Sequence, residues 1–346
     1  MDSFQITAAR SQQLARDVVA HADYYRVLTG ERPTGPLHLG HYFGSLAERA
    51  RLQRLGVEII VVIADYQVIT ARDTAGDIRE NVHEVVLDYL AAGMDPEQST
   101  IFTHSAVPAL NQLISPFLSL VTEAELRRNP TVKSESAASG RALSGLLLTY
   151  PVHQAADILF CRANLVPVGK DNLPHVELTR SIARRFNDRY SEVFPIPEAI
   201  LTQTPELPGL DGRKMSKSYR NSIPLRLSAD ETAETIRKTP TDSQRLISYD
   251  PLARPGISAL LDTAAVCLGL GVETLAEQLG DSGAGKLKQL AIEAVNDYFA
   301  PFRARRRQFE LEPEAVTQIL STGNARANAI AEQALDRVRK AMGMSY

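Results

Sequence analysis

The chain has 346 residues and a formal net charge of −3, with 44% hydrophobic and 23% charged residues. These proportions are typical of a globular protein and exclude disordered, collagen-like and disulfide-rich classes. Cys161 and Cys267 lie far apart without a Cys/His cluster, which argues against a structural zinc site. The longest apolar run, residues 59–64, is much shorter than the roughly 20 residues that span a membrane. Acids and arginines interrupt the first 20 residues, which excludes a secretory signal, so we expect a cytoplasmic protein without membrane contact.

In chain order, residues 1–20 are predicted to form an amphipathic helix, an extension before the main fold. The β-prone residues 24–28 then lead through a Pro/Gly-rich turn into a helical stretch that ends near Gly56. Residues 59–64 show no polar alternation, which indicates a strand buried on both faces of a parallel sheet.

The alternation continues over predicted helices and strands at residues 77–92, 99–104, 165–168 and 174–187. This order predicts a doubly wound α/β parallel-sheet domain, Rossmann-like, over residues 21–222. Helical patterns dominate afterwards and predict an all-helical domain over 223–346. Its helices are expected at 229–238, 256–268, 285–298 and 324–341.

The turn after the first strand carries two histidines, His38 and His41, around Gly40. A glycine lets another group approach the backbone closely, and the free N–H groups of a helix start attract anions. This pattern suits a triphosphate. The alternatives are an ordinary turn with incidental histidines, or a zinc pair, for which the i, i+4 spacing and a third ligand are lacking.

Residues 211–218 form a glycine-flanked loop with three cations and two hydroxyls. Lys214 and Lys217 on a flexible loop are suited to stabilise the charge of a departing pyrophosphate. A solvated basic loop is the alternative interpretation.

Residues 38–41 resemble the HIGH motif, and residues 214–218 read KMSKS, the pair that marks class I aminoacyl-tRNA synthetases. The compact chain resembles the tyrosyl/tryptophanyl branch from Val27 to Gly343. Within residues 150–159, Tyr150, Gln154 and Asp157 share one helical face. The Ala156-Asp157 pair is the form found in tryptophanyl-tRNA synthetases, whereas tyrosyl enzymes usually carry an aromatic residue before the aspartate. An ordinary core helix is the alternative.

The resemblance implies activation of L-tryptophan with ATP to tryptophanyl-adenylate, transfer to tRNA(Trp), Mg²⁺ bound through the ATP, and a homodimer. The residues expected to act in catalysis are His38, His41, Lys214 and Lys217. The residues expected to bind ATP are Gly30, Thr34, Gly35, His38, Gly40, His41, Gly169, Asp171, Lys214, Met215, Ser216, Lys217 and Ser218. The residues expected to bind tryptophan are Leu28, Gln67, Tyr150, Gln154 and Asp157.

Two positions depart from the family pattern. Lys170, between Gly169 and Asp171, replaces the usual glutamate, and Gln67 replaces a pocket histidine. Because both phosphate-handling motifs are whole, these changes fit a divergent second copy of such an enzyme, with altered recognition of tryptophan analogues.

Two basic clusters are candidates for tRNA contact, residues 303–307 and the group Arg127, Arg128 and Lys133. A solvated charge run is the alternative for each. Three other functions stay open: a tyrosyl enzyme, a non-catalytic RNA-binding paralogue, and an adenylyltransferase with a different acceptor.

Overall fold

The computed structural model describes residues 3–70, 77–139, 142–169, 172–201, 207–216 and 219–346. The strands are β1 (Arg26–Glu31), β2 (Glu58–Ile63), β3 (Ser99–Thr103), β4 (Leu165–Val168) and β5 (Glu198–Leu201).

The α-helices of the described residues are α1 (Ser3–Ala20), α2 (Leu39–His41), α3 (Ala47–Arg54), α4 (Ile78–Ala91), α5 (Pro108–Gln112), α6 (Ile114–Leu118), α7 (Glu123–Arg128), α8 (Pro130–Ser139), α9 (Gly145–Phe160), α10 (Leu173–Arg189), α11 (Ala229–Arg237), α12 (Pro255–Leu268), α13 (Val272–Leu279), α14 (Gly283–Glu310) and α15 (Pro313–Ala341).

The five strands form one parallel sheet in the order β3-β2-β1-β4-β5. Val27 in β1 pairs with Ile59 on one side and with Leu165 on the other. The strand order therefore reverses between β1 and β4, and ligands of such sheets bind at the carboxyl ends of the strands beside this reversal. The predicted doubly wound α/β class is confirmed.

Strand β2 is buried on both faces, as its unbroken apolar run predicts. Ile59, Val61 and Ile63 enter one apolar core, whereas Ile60 and Val62 enter a second core across the sheet. The first core also contains buried residues of α1, α3, α4, α12 and α14. The second contains those of α5, α9, α10 and α15. Helices therefore cover both faces of the sheet.

The helices α14 and α15 are much longer than the patterns at 285–298 and 324–341 predict. Pro301 lies inside α14 without ending it, although proline removes a backbone hydrogen bond. Gly323 lies inside α15, where a Cβ atom would come within 1.8 Å of the Ile101 carbonyl oxygen. Close packing on β3 thus outweighs the low helix propensity of Gly323.

Helices α1 and α15 each contact an outer strand of the sheet. The Ser11 hydroxyl in α1 accepts a hydrogen bond from the Leu201 N–H (3.0 Å), and Leu14 and Val18 are buried beside it. The Asn324 side chain in α15 accepts one from the Thr103 N–H (3.0 Å). The helix predicted over residues 1–20 therefore packs on β5, while the division of the chain into domains stays a prediction.

Among the described residues, no single helix has both the length and the apolar character needed to cross a membrane. The pair α12 and α13, bent by 108°, passes that test of length and composition when taken together. Most of α12 is buried in the first apolar core.

Three arginines of the basic cluster at residues 303–307 have structural contacts. Arg306 is buried and its guanidinium pairs with Glu84 (2.6 Å) and Asp88 of α4. Arg305 donates to the Ala91 carbonyl oxygen (2.7 Å), and Arg303 donates to that of Leu227 (2.9 Å). The contacts of Arg305 and Arg306 join α14 to α4, so the structural interpretation of this cluster is favoured over tRNA contact.

Replacing Arg306 with alanine should lower the free energy of unfolding by about 3–5 kcal/mol, because the buried Asp88 and the partly buried Glu84 lose their countercharge. Urea denaturation followed by circular dichroism measures this change. Arg307→Ala, on the exposed side of the same helix, is the control and should stay within about 0.5 kcal/mol of the wild type. Equal stability of the Arg306→Ala protein and the wild type would contradict a structural role.

Candidate active site

A cavity of about 360 Å³ lies where the strand order reverses. The carboxyl ends of β1 and β4 line it together with side chains of α8, α9 and α10. All five residues predicted to bind the amino acid lie in its wall, namely Leu28, Gln67, Tyr150, Gln154 and Asp157. Gly30, His41 and Gly169 from the predicted nucleotide set lie there too. The cavity wall therefore contains residues predicted to bind the amino acid together with residues predicted to bind the nucleotide.

The first motif, residues 38–41 with its two histidines, begins a helix directly beside this cavity. His38 is extended and precedes α2, and its backbone N–H donates to His41 Nδ1 (3.2 Å). The two imidazole rings lie 3.7 Å apart between centroids, with His38 buried and His41 in the cavity wall. A π-helical turn over Tyr42–Leu46 follows before α3, a feature that is frequent at functional sites.

The second motif, residues 214–218, contacts the first through Met215. The Gly40 N–H points at Met215 Sδ (3.4 Å), and a Cβ atom on residue 40 would come within 3.1 Å of the His38 ring. Two backbone hydrogen bonds hold the chain after the motif in place, from Leu39 to Ile223 (3.0 Å) and from Leu225 to Leu37 (2.9 Å). The two motifs, 175 residues apart in sequence, are therefore neighbours in the fold.

Asn221 organises the loop of the second motif. Its side-chain oxygen accepts from the Ser216 N–H (2.9 Å), and its amide nitrogen donates to Asp211 (2.7 Å) and to the Lys214 carbonyl oxygen (3.1 Å). Asn221 is 4% exposed, so these bonds replace contacts with water. Its amide thereby holds three points of the loop, including the backbone on both sides of Met215.

A buried ion pair lies at the carboxyl end of β1. Both Glu31 oxygens accept from the Arg49 guanidinium (2.8 and 3.0 Å), and the Tyr89 hydroxyl donates to the same carboxylate. Burial alone would raise the pKa of Glu31, but the charges of Arg49 and His41 and the hydrogen bonds from Arg49 and Tyr89 together outweigh it and lower the pKa below its ordinary value. Glu31 and Arg49 both line the cavity, so a fixed pair of opposite charges borders the candidate ligand.

Asp157 forms a hydrogen bond with a histidine that lies outside the cavity wall. His104, fully buried, has its Nε2 atom 2.8 Å from Asp157 Oδ1. The ring of His153 stacks on that of His104 at 4.2 Å. Burial lowers the pKa of His153, which favours its neutral form. Asp157 lines the cavity, but neither histidine does.

Elsewhere in the cavity wall, the Tyr150 hydroxyl lies 3.4 Å from His175 Nε2. Burial, together with the charge of Arg32, lowers the pKa of His175 to about 4. Burial raises the pKa of Tyr150. Both groups are therefore neutral near pH 7, and Arg32 is paired with Glu135 (3.0 Å) beside them.

The remaining predicted residues lie around the cavity or beyond the described chain. Seven of them belong to the turn after β1 or to the second motif, and these seven do not line the cavity: Thr34, Gly35, His38, Gly40, Lys214, Met215 and Ser216. Asp171, Lys217 and Ser218, and also Lys170, lie outside the described residues.

Five residues of the site were not among those predicted from the sequence to act or bind there: Glu31, Arg49, Asn221, His104 and His175. Two of them had a readable signal: Glu31 follows a predicted strand and His104 is the last residue of another, at the sheet edge where α/β ligands bind. Arg49 and Asn221 had none, because their importance comes from partners that only the fold brings near.

The family described as tRNA synthetases class I (W and Y) matches residues 21–300. The tryptophan–tRNA ligase of Treponema pallidum is 42% identical over 332 residues, covering 92% of this chain and 97% of that protein. That of Lactococcus lactis is 40% identical, with coverages of 92% and 98%. A crystal structure of tryptophanyl-tRNA synthetase from Campylobacter jejuni, complexed with ADP and tryptophan, has a TM-score of 0.80 at 31% identity. It covers 92% of this chain and 99% of that one.

Glu31→Gln should lower the free energy of unfolding at about pH 7 by about 3–5 kcal/mol, because Arg49 stays buried without a countercharge. The folded protein lowers the pKa of Glu31 from 4.5, so its stabilisation is full above 4.5 and is lost as the pH falls through the lower folded value. The gap between variant and wild type should therefore close in acid. Urea denaturation at about pH 7 and at about pH 3 measures it.

The matched control is Glu58→Gln, because Glu58 also pairs with an arginine, Arg26, but is half exposed. Its effect should not exceed about 1 kcal/mol. A gap for Glu31→Gln that widens in acid would contradict the lowered pKa.

Proposed function

The chain belongs to the class I tRNA synthetases of the tryptophan and tyrosine branch, and we propose that it activates L-tryptophan with ATP and transfers it to tRNA(Trp). The observation that carries this proposal is the cavity at the strand reversal. A buried acceptor, Asp157, lies in its wall, and the histidine motif for a triphosphate lies at its side.

The reaction has two steps. An oxygen of the tryptophan carboxylate attacks the α-phosphorus of ATP, a carboxyl–phosphate bond forms, and the bond to the β-phosphate breaks with release of pyrophosphate. A hydroxyl of the terminal tRNA ribose then attacks the acyl carbon, and AMP leaves. No protein nucleophile takes part, so positioning and charge stabilisation supply the catalysis. Bound through the ATP phosphates, Mg²⁺ would neutralise part of their charge.

The two motifs act on the phosphates. His38 and His41 bind them at the start of α2, beside the cavity. Gly40 leaves room for the adenosine. Lys214 and Lys217 stabilise the departing pyrophosphate, and the contact of Met215 with Gly40 supports this role because it keeps the lysine loop against the ATP site.

Tryptophan lies in the inner part of the cavity. An indole N–H can only donate a hydrogen bond, and leaving it unpaired in a buried site costs about 1–3 kcal/mol. Asp157, 2% exposed, is the acceptor for it. Leu28, Gln67, Tyr150 and Gln154 form the surrounding wall.

The tRNA contacts the basic group on α7 and α8. Thr131 and Glu135 of α8 line the cavity, while Lys133 on the same helix is exposed. Arg128 is exposed as well, whereas Arg127 pairs with Glu123. These cations lie beside the place that the tRNA acceptor end must reach. The homodimer and the cytoplasmic location rest on the resemblance to the family and on the sequence respectively.

Pyrophosphate exchange with tryptophan and with tyrosine tests the amino acid. We expect exchange with tryptophan, and Asp157→Ala should lower kcat/KM for it at least about tenfold because the indole N–H loses its acceptor. The KM for ATP should stay unchanged. Asp188→Ala, an exposed aspartate on α10 outside the cavity wall, is the control. Exchange with tyrosine alone would reject the proposal, and a wild-type rate in Asp157→Ala would reject the role of this residue.

Lys214→Ala and Lys217→Ala should each slow adenylate formation about 100-fold while changing the dissociation constant of ATP much less. The reason is that the charge they stabilise develops only in the transition state. Single-turnover kinetics separate the two quantities. Lys286→Ala, an exposed lysine on α14, is the control. A weaker ATP affinity with an unchanged activation rate would show that these lysines only bind the nucleotide.

A further inference from the structure

His104 is buried and fixed, although it lies behind the cavity rather than in its wall. It follows β3 directly, and the Asn111 amide donates to its carbonyl oxygen (2.9 Å). A second amide, that of Asn328 in α15, donates to the carbonyl oxygen of Ala106 in the same turn. The backbone that carries this imidazole is therefore held from two helices.

Within the described residues, the imidazole has one hydrogen-bond partner, Asp157, at 2.8 Å from Nε2 to Oδ1. The other ring nitrogen, Nδ1, is buried and makes no hydrogen bond. Because Asp157 Oδ1 accepts, Nε2 must carry the hydrogen in the neutral ring as well as in the charged one. This bond occupies Oδ1 and leaves Oδ2 as the carboxylate oxygen for a ligand.

A carboxylate that is 2% exposed needs such a donor. Without one, a buried carboxylate oxygen is left without a hydrogen bond, and nothing fixes the orientation of the group towards a ligand N–H. His153, Asp65 and Tyr66 also lie near this site, but none of them is bonded to the Asp157 carboxylate. His104 alone among these groups can hold it as an acceptor.

We propose that His104 is a positioning residue for amino-acid selection, which holds the Asp157 carboxylate in the orientation that accepts a ring N–H. The inference rests on the proposed function of Asp157. It assigns to His104 the discrimination between tryptophan and isosteres without a ring N–H. The substrate class of the site is therefore an amino acid whose aromatic ring donates a hydrogen bond.

The test compares tryptophan with β-(benzothiophen-3-yl)alanine, in which sulfur replaces the ring N–H. The measured quantity is the ratio of their kcat/KM values in pyrophosphate exchange. In His104→Leu this ratio should fall at least about tenfold. The reason is that Asp157 loses the hydrogen bond that orients its carboxylate towards the ring N–H of tryptophan. The KM for ATP should stay unchanged. An unchanged ratio would overturn the inference.

A matched pair of variants keeps the test decisive if His104→Leu does not fold. The amide nitrogen of glutamine can reach the position of Nε2, while that of asparagine is one methylene shorter. His104→Gln should retain most of the wild-type ratio, and His104→Asn should lose it. Equal ratios in these two variants would overturn the inference.

Two further variants separate the causes. His153→Leu removes the stacked imidazole without removing the bond to Asp157, and its ratio should stay near that of the wild type. An equal loss in His153→Leu and His104→Leu would assign the effect to packing and overturn the inference. Asp157→Ala tests the underlying function: a wild-type ratio there rejects the role of Asp157 itself. A lost ratio in Asp157→Ala with an unchanged one in His104→Leu rejects only the role of His104.

Discussion

The buried pair of Glu31 and Arg49 is the constraint on which the site depends. An uncompensated charge at the carboxyl end of β1 would be costly, so the strand, α3 and the Tyr89 side chain of α4 must meet at one point. The His38 turn connects β1 to α3, and this meeting point therefore sets where the turn lies. The cavity, the histidines and the methionine contact all follow from the same placement.

Much of this arrangement can be read from the sequence. The unbroken apolar run of β2 indicates a strand buried on both faces, and turn residues beside two histidines indicate an anion site. These signals are local, since each depends on residues a few positions apart. The five residues expected around tryptophan also share one cavity, because a helical face and a strand end are local properties too. The roles of these residues remain predictions.

The rest depends on contacts between distant segments. The position of His104 at the end of a strand indicates a site, but its specific role depends on Asp157, 53 residues later. Asn221 matters because the loop before it returns to its amide. The arginines at 303–307 resemble a nucleic-acid contact in sequence, yet the fold turns Arg306 towards Glu84 and Asp88. Charge in a sequence does not say which side of a helix faces a neighbour. The lengths of α14 and α15 are not predicted either, because Pro301 and Gly323 read as helix breakers in the sequence but do not end these helices in the fold.

The helices on the two outer strands have a consequence for the behaviour of the chain in a crowded solution. An uncovered outer strand offers a row of free N–H and C=O groups to any other extended chain, and this is a route to aggregation. Here Ser11 takes up an N–H of β5, and Asn324 takes up one of β3. The two helices lie at opposite ends of the sequence, so the protection of the sheet is complete only when both have docked. A nascent chain that still lacks α15 exposes the unpaired backbone groups of β3. Docking of α15 then covers this outer strand.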